Sequence, residues 1–153
     1  MKYLITLCVI TLFLIPKTAL CIPEPAVRLM DVRAVKLGRY FEAHKCPLIP
    51  YIDDFITAAD KYDIDYRLLP AISTIESQCG KIYPRKTNNP FGWGSARIGF
   101  DSIPSGIDYI TGQLANSRYY AGKTTERKLA TYCPNPTYPS RVLKLIHEID
   151  EAD

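Results

Sequence analysis

Glu76 closes an apolar, helix-like stretch, Leu68-Leu69-Pro70-Ala71-Ile72-Ser73-Thr74-Ile75, and is followed by Ser77-Gln78-Cys79-Gly80 and then by the aromatic, glycine-rich run Asn88-Asn89-Pro90-Phe91-Gly92-Trp93-Gly94. A carboxylic acid on the last turn of a helix, with hydrophobes behind it and negative carbonyl ends beside it, is expected to have its ionised form disfavoured. That is the setting of a general acid in glycoside cleavage. A surface Glu one turn before a glycine stop is the plainer alternative, and the aromatic run downstream weighs against it.

From Ser77 to Phe100 there is no Asp or Glu, whereas Lys81, Arg85, Lys86 and Arg97 all lie there. Such a basic loop suits a polyanionic or carboxylate-bearing substrate such as a cell wall, although a solvated charged loop has the same composition. The stretch from Gly80 to Asp101 lacks a helical period and is too long for an ordinary connection, which predicts an irregular loop or short hairpin with a role of its own. Tyr83, Phe91, Trp93 and Phe100 offer flat faces for stacking on sugar rings; Phe91 is equally suited to packing beneath the loop, and Trp93, held between two glycines, is expected in a cleft. His44 and His147 are not spaced as metal ligands, and a zinc site on His44 and Cys46 has little to recommend it. No metal and no cofactor is expected.

Helices must position these residues. Val27, Met30, Ala34, Leu37 and Phe41 recur at steps of three and four, predicting a helix over 24–44 that ends at Cys46-Pro47. A second is predicted over 50–62, with Asp53 and Asp54 in its first turn, and a third from an Asp65 N-cap to Cys79, bent at Pro70 and closed by a left-handed Gly80. Three more follow: one capped by Ser102 and running to Asn116, a short one from Thr124 or Thr125 to Tyr132, and a last one over 138–151, with Cys133-Pro134-Asn135-Pro136 as the rigid break before it. The chain is expected to be all-α and a single domain.

At the N-terminus, Lys2, the apolar run Leu4 to Ile15, and Ala19 and Cys21 as small residues at a cleavage point have the form of a secretory signal peptide over 1–21. The run is shorter than the roughly 20 residues that span a bilayer, so no retained membrane span is expected. A lipidated Cys21 is disfavoured by the bulk of Leu20 and by Lys17. The chain carries 19 Lys plus Arg against 16 Asp plus Glu, and losing Lys2 and Lys17 leaves 17 against 16, a net charge of +1 for residues 22–153. So small a net charge does not suggest a nucleic-acid partner. Of five cysteines, Cys8 and Cys21 fall in the expected leader, leaving Cys46, Cys79 and Cys133, an odd number that in an exported chain suggests one disulfide and a free thiol, or a second bridge if cleavage falls before Cys21.

Taken together, the ordered blocks ESQCGK, NNPFGWG, FDSIPSGIDYI, RYY and YCPNPTYPSRV resemble the bacterial endo-β-N-acetylglucosaminidase family of autolysins and flagellar cell-wall hydrolases, within the lysozyme-like superfamily. The segment AADKYDIDYRLLPAISTIES is also similar to soluble lytic transglycosylases. The likeness covers about Tyr51 to Ile149. It implies a lysozyme-like helical domain with one long loop forming part of the cleft, Glu76 as the acid that protonates the glycosidic oxygen, and Asn89, Phe91, Trp93 and Tyr132 lining the cleft. It implies further that Cys133, next to Tyr132, comes close to Cys79, next to the catalytic helix, so that these two would form the disulfide, with Cys46 as the competing partner. The chain departs from the family in having no carboxylate between Ser77 and Phe100; a second one would have to be Asp101 or Asp108.

The resulting expectation is a monomeric enzyme, secreted, periplasmic or cell-wall associated, that cleaves peptidoglycan or a related N-acetylhexosamine glycan with a single Glu as general acid and base. A lytic transglycosylase of the same superfamily, or a non-catalytic glycan-binding module, are the alternatives. A secreted helical protein acting through protein contacts would leave the Gly-Trp-Gly loop unexplained.

Overall fold

The computed structural model describes residues 31–152, which fold into α-helices with no strand among them. The expected signal peptide over 1–21 and the first part of the predicted first helix lie outside the described residues. Helices α1 (Val32–Ala43), α2 (Ile52–Tyr62), α3 (Leu68–Ser77), α4 (Ile103–Asn116), α5 (Thr125–Tyr132) and α6 (Tyr138–Asp150) are joined by loops that include two 3-10 turns, Ile49–Tyr51 and Arg85–Thr87.

Asp31 caps α1 by accepting from the Arg33 N–H at 2.8 Å. Pro50 leads into α2 through a 3-10 turn, so the helix itself starts at Ile52, and Asp63 in the left-handed conformation stops it. Helix α3 begins later than the sequence suggests. Asp65 accepts from the Arg67 N–H at 2.9 Å in a turn that precedes the helix, and Pro70 then falls in the first helical turn. The N–H groups there have no partner within a helix, so the missing proton costs nothing and supplies no reason for a bend. The far end of α3 is closed by Gln78, Cys79 and Gly80, all with positive φ, and the Ser77 hydroxyl both donates to the Ser73 carbonyl and accepts from the Gly80 N–H. Glu76 is thereby the last helical residue but one.

The core is built around α3, whose residues Leu68 through Ser73 are all buried. It packs on α6, while α2 packs on α4 and α5 on α6. Phe41, Phe55 and Phe91 meet edge-to-face at centroid distances of 5.9 and 6.1 Å, and all three are among the largest fully buried side chains. Aromatic pairs of this geometry add about 0.5–1.5 kcal/mol each beyond area burial. Exposed and partly exposed ion pairs (Arg33 with Asp60, Lys61 with Asp108, Arg67 with Asp150) link separate parts of the chain at the surface, where solvent screening leaves each a minor contribution.

The disulfide joins Cys46 to Cys79, with Cα atoms 5.2 Å apart, and Cys133 is a free, partly exposed thiol. This corrects the Cys79–Cys133 pairing. The connection between α1 and α2 lies against the end of α3, where Leu48 packs so closely on Gly80 that a Cβ there would come within 2.8 Å of it, and that contact brings Cys46 to Cys79. A zinc site on His44 and Cys46 is removed by the same bond, because a disulfide sulfur is not a thiolate ligand.

Candidate active site

Asn89 organises the loop that follows α3. Its side chain is fully buried and makes four hydrogen bonds, donating to the carbonyls of Trp93 and Ile98 at 2.8 Å each and accepting from the N–H groups of Phe91 and Trp93. A buried amide satisfied in this way fixes the course of the backbone around it. Asn89 therefore shapes the cleft without lining it. Phe91 likewise turns inward, fully buried against Phe55, and only its carbonyl serves the site, accepting from the Tyr132 hydroxyl at 2.5 Å. Of the four residues expected to line the cleft, Trp93 and Tyr132 do so, and Asn89 and Phe91 hold the wall from behind.

The cleft itself is open, about 510 Å³ in volume, and is lined by Glu76, Gly92, Trp93, Gly94, Ser95, Tyr120, Tyr132, Cys133 and Pro134. Four parts of the chain meet there: the end of α3, the loop, the segment after α4, and the end of α5. Trp93 is at their centre, with ring centroids 6.0 Å from Tyr120, 5.6 Å from Tyr132 and 6.3 Å from Tyr109. Glu76 is the one carboxylate among the described residues lining the cleft, and its side chain is exposed to it. The apolar surroundings expected from the hydrophobes before it belong to the opposite faces of α3, which are turned to the core.

Gly92 explains how the carboxylate is seated. With φ at 69°, a conformation that L side chains rarely adopt, its Cα passes so close to Glu76 that a Cβ would lie 2.3 Å from Oε2. Only glycine lets the loop close over the acid in this position.

Tyr138, the first residue of α6, stands behind the site. It is 3% exposed, stacks on Tyr132 at 6.1 Å with the rings nearly parallel, and its hydroxyl is buried without a hydrogen-bond partner among the described residues. Burial, then the negative charge of Glu76 and the contact with that carboxylate, push its phenol far above the ordinary tyrosine range. Burial foremost, followed by Glu76 and Tyr120, does the same to Tyr132. Both phenols stay neutral and can only donate or accept hydrogen bonds as O–H groups.

Neither candidate second carboxylate joins Glu76. Asp101 is exposed on the turn before α4, and Asp108 on α4 is engaged by Lys61 at 2.7 Å and by the Tyr62 hydroxyl at 3.2 Å. Neither lines the cleft. Tyr120, Tyr138 and Gly92 are site residues that reading the sequence did not single out. Tyr120 and Tyr138 stand in the RYY and YCPNPTYPS blocks, but nothing local distinguishes a tyrosine that reaches the cleft from one that does not.

Comparison with known protein families, with curated proteins and with solved structures finds no match.

Proposed function

We propose that this protein is an exported glycosidase that cleaves peptidoglycan or a related N-acetylhexosamine glycan, with Glu76 as general acid, in the manner of the glucosaminidases its motifs resemble. The observation that supports this most is one unpaired carboxylate in an open, aromatic-walled cleft wide enough for sugar rings. Trp93, backed by Tyr120, gives the face on which a pyranose stacks, and Glu76 donates its proton to the glycosidic oxygen as the bond to C1 breaks. With no second carboxylate among the described residues lining the cleft, the positive charge developing at C1 is met from the substrate. Its N-acetyl oxygen attacks C1, and Glu76, now ionised, takes a proton from the water that opens the resulting ring. The neutral Tyr138 hydroxyl beside it is a positioning group that can donate to the carboxylate after proton transfer.

The same single acid favours a second reading, a lytic transglycosylase, in which the substrate's 6-hydroxyl attacks C1, gives its proton to Glu76 and leaves a 1,6-anhydro end. A disulfide in the fold is in keeping with an exported chain. Among the described residues no helix is long and apolar enough to cross a membrane.

Mass spectrometry of digested peptidoglycan tests the proposal. New reducing N-acetylglucosamine ends support the glucosaminidase, anhydro ends the transglycosylase, and Glu76→Gln is expected to lower either activity about a hundredfold or more, since the amide keeps the shape without the proton. Glycan binding with no product of either kind would leave only a binding module.

A further inference from the structure

A second groove of about 410 Å³ opens on the other side of the Cys133-Pro134 wall, lined by Glu126, Arg127 and Ala130 of α5, by Asn135 and Pro136, and by Pro139 of α6. Cys133 and Pro134 line both cavities, so the two adjoin at these residues. Their chemistry differs sharply. The first cleft is walled by Trp93, Tyr120 and Tyr132, whereas the second has no aromatic ring and instead carries one cation and one anion. Arg127 and Glu126 are exposed, and neither makes an ion pair among the described residues. Without a ring face this groove is a poor sugar platform. An unpaired acid and base over a rigid, proline-lined floor match a short peptide bearing both a carboxylate and an amine.

We propose that this groove is a subsite for the peptide stem of peptidoglycan, receiving the branch carried by the sugar bound in the neighbouring cleft. This rests on the glycan-cleaving reading of that cleft. The strand bears a peptide on alternate sugars through a lactyl ether, so a strand lying across Trp93 must send a branch to one side, and this groove adjoins the cleft at Cys133 and Pro134. Arg127 takes a stem carboxylate, and Glu126 the amino group of its diamino acid. The groove makes the enzyme prefer peptide-bearing strands to bare ones.

The test compares cell-wall strands with the same strands stripped of peptides by an amidase, using the wild type, Arg127→Gln and Ala130→Trp. Both positions are exposed on α5, and Ala130→Trp fills the groove without entering the core. Each variant is expected to lose about fivefold or more in kcat/KM on peptide-bearing strands, as for the loss of an anchoring contact, and to match the wild type within about twofold on stripped strands. Equal losses on both strands, or no loss on either, would overturn the proposal. Should the wild type cleave neither strand, the reading of the cleft fails, and the groove is still decided by NMR titration with a soluble L-Ala-γ-D-Glu-diamino acid tripeptide. Shifts at Arg127 and Ala130 that vanish in Ala130→Trp support it, and their absence at millimolar tripeptide refutes it.

Discussion

Gly92→Ala separates the seating of the acid from the stability of the fold. The added Cβ would lie 2.3 Å from Glu76 Oε2 and 2.9 Å from its Cδ, against an ordinary contact of roughly 3.4 Å, so the carboxylate must retreat by about 1 Å. Because the displaced atoms end a flexible side chain, this movement costs little. The main penalty to folding comes from placing alanine at φ 69°, about 1–2 kcal/mol, partly offset by about 0.4–1 kcal/mol from a less flexible unfolded chain. A net loss near 1 kcal/mol lowers the melting temperature of a domain this size by roughly 3–6 °C. Catalysis should suffer far more, since an acid misplaced by about 1 Å loses on the order of a hundredfold in rate. Gly122→Ala is the matched control: its φ is 70° and nothing lies within 4 Å of the added Cβ, so it carries the same backbone penalty with no contact to Glu76. The assay is clearing of purified cell walls beside thermal unfolding. A folded Gly92→Ala that keeps more than about a third of wild-type activity, or a Gly122→Ala that loses as much, would refute the reasoning.

Three further outcomes are expected. Tyr138→Phe removes a buried hydroxyl that lies beside the Glu76 carboxylate without a hydrogen bond of normal geometry, so the domain should keep its stability within about 1 kcal/mol while wall clearing falls, and a Tm drop with unchanged clearing would make Tyr138 purely structural. Trp93→Ala should weaken glycan binding about tenfold, measured by calorimetry with a soluble oligosaccharide, and also cost stability because the indole packs on three tyrosines; unaltered affinity would return Trp93 to a packing role. Replacing Cys46 and Cys79 together by Ser opens a loop of sequence separation 33 and should lower unfolding free energy in urea by about 3–4 kcal/mol, whereas Cys133→Ser should change it little; the reverse ranking would contradict the pairing.

Helices were legible where a local pattern decides them. Apolar spacing located the face of α1, and the Ser102 cap of α4 was readable from its neighbours. What misled was chemistry that depends on distant partners. Asp65 looks like an N-cap, yet its carboxylate serves a turn with Arg67, and this moves Pro70 into the first turn of α3. Asn89 and Phe91 look like cleft residues because they adjoin Trp93, but the positive φ angles at Asn88 and Gly92 send these side chains inward. Three cysteines permit three pairings, and only the packing of Leu48 on Gly80 selects one.

The site's proton chemistry narrows on the same grounds. Tyr132 is committed to the Phe91 carbonyl, a bond that links the end of α5 to the loop and so fixes the distance between the two walls of the cleft. Tyr138 is held neutral by burial and by the charge of Glu76, so no phenolate is present to act as a base. Asp101 and Asp108 are directed elsewhere. Glu76 is the one carboxylate among the described residues lining the cleft, so on the proposed reading it gives the proton and takes it back, and the nucleophile that bridges the two steps comes from the substrate. On the proposed reading, a glycan lacking both the 2-acetamido group and a free 6-hydroxyl would therefore bind beside Trp93 and remain uncut.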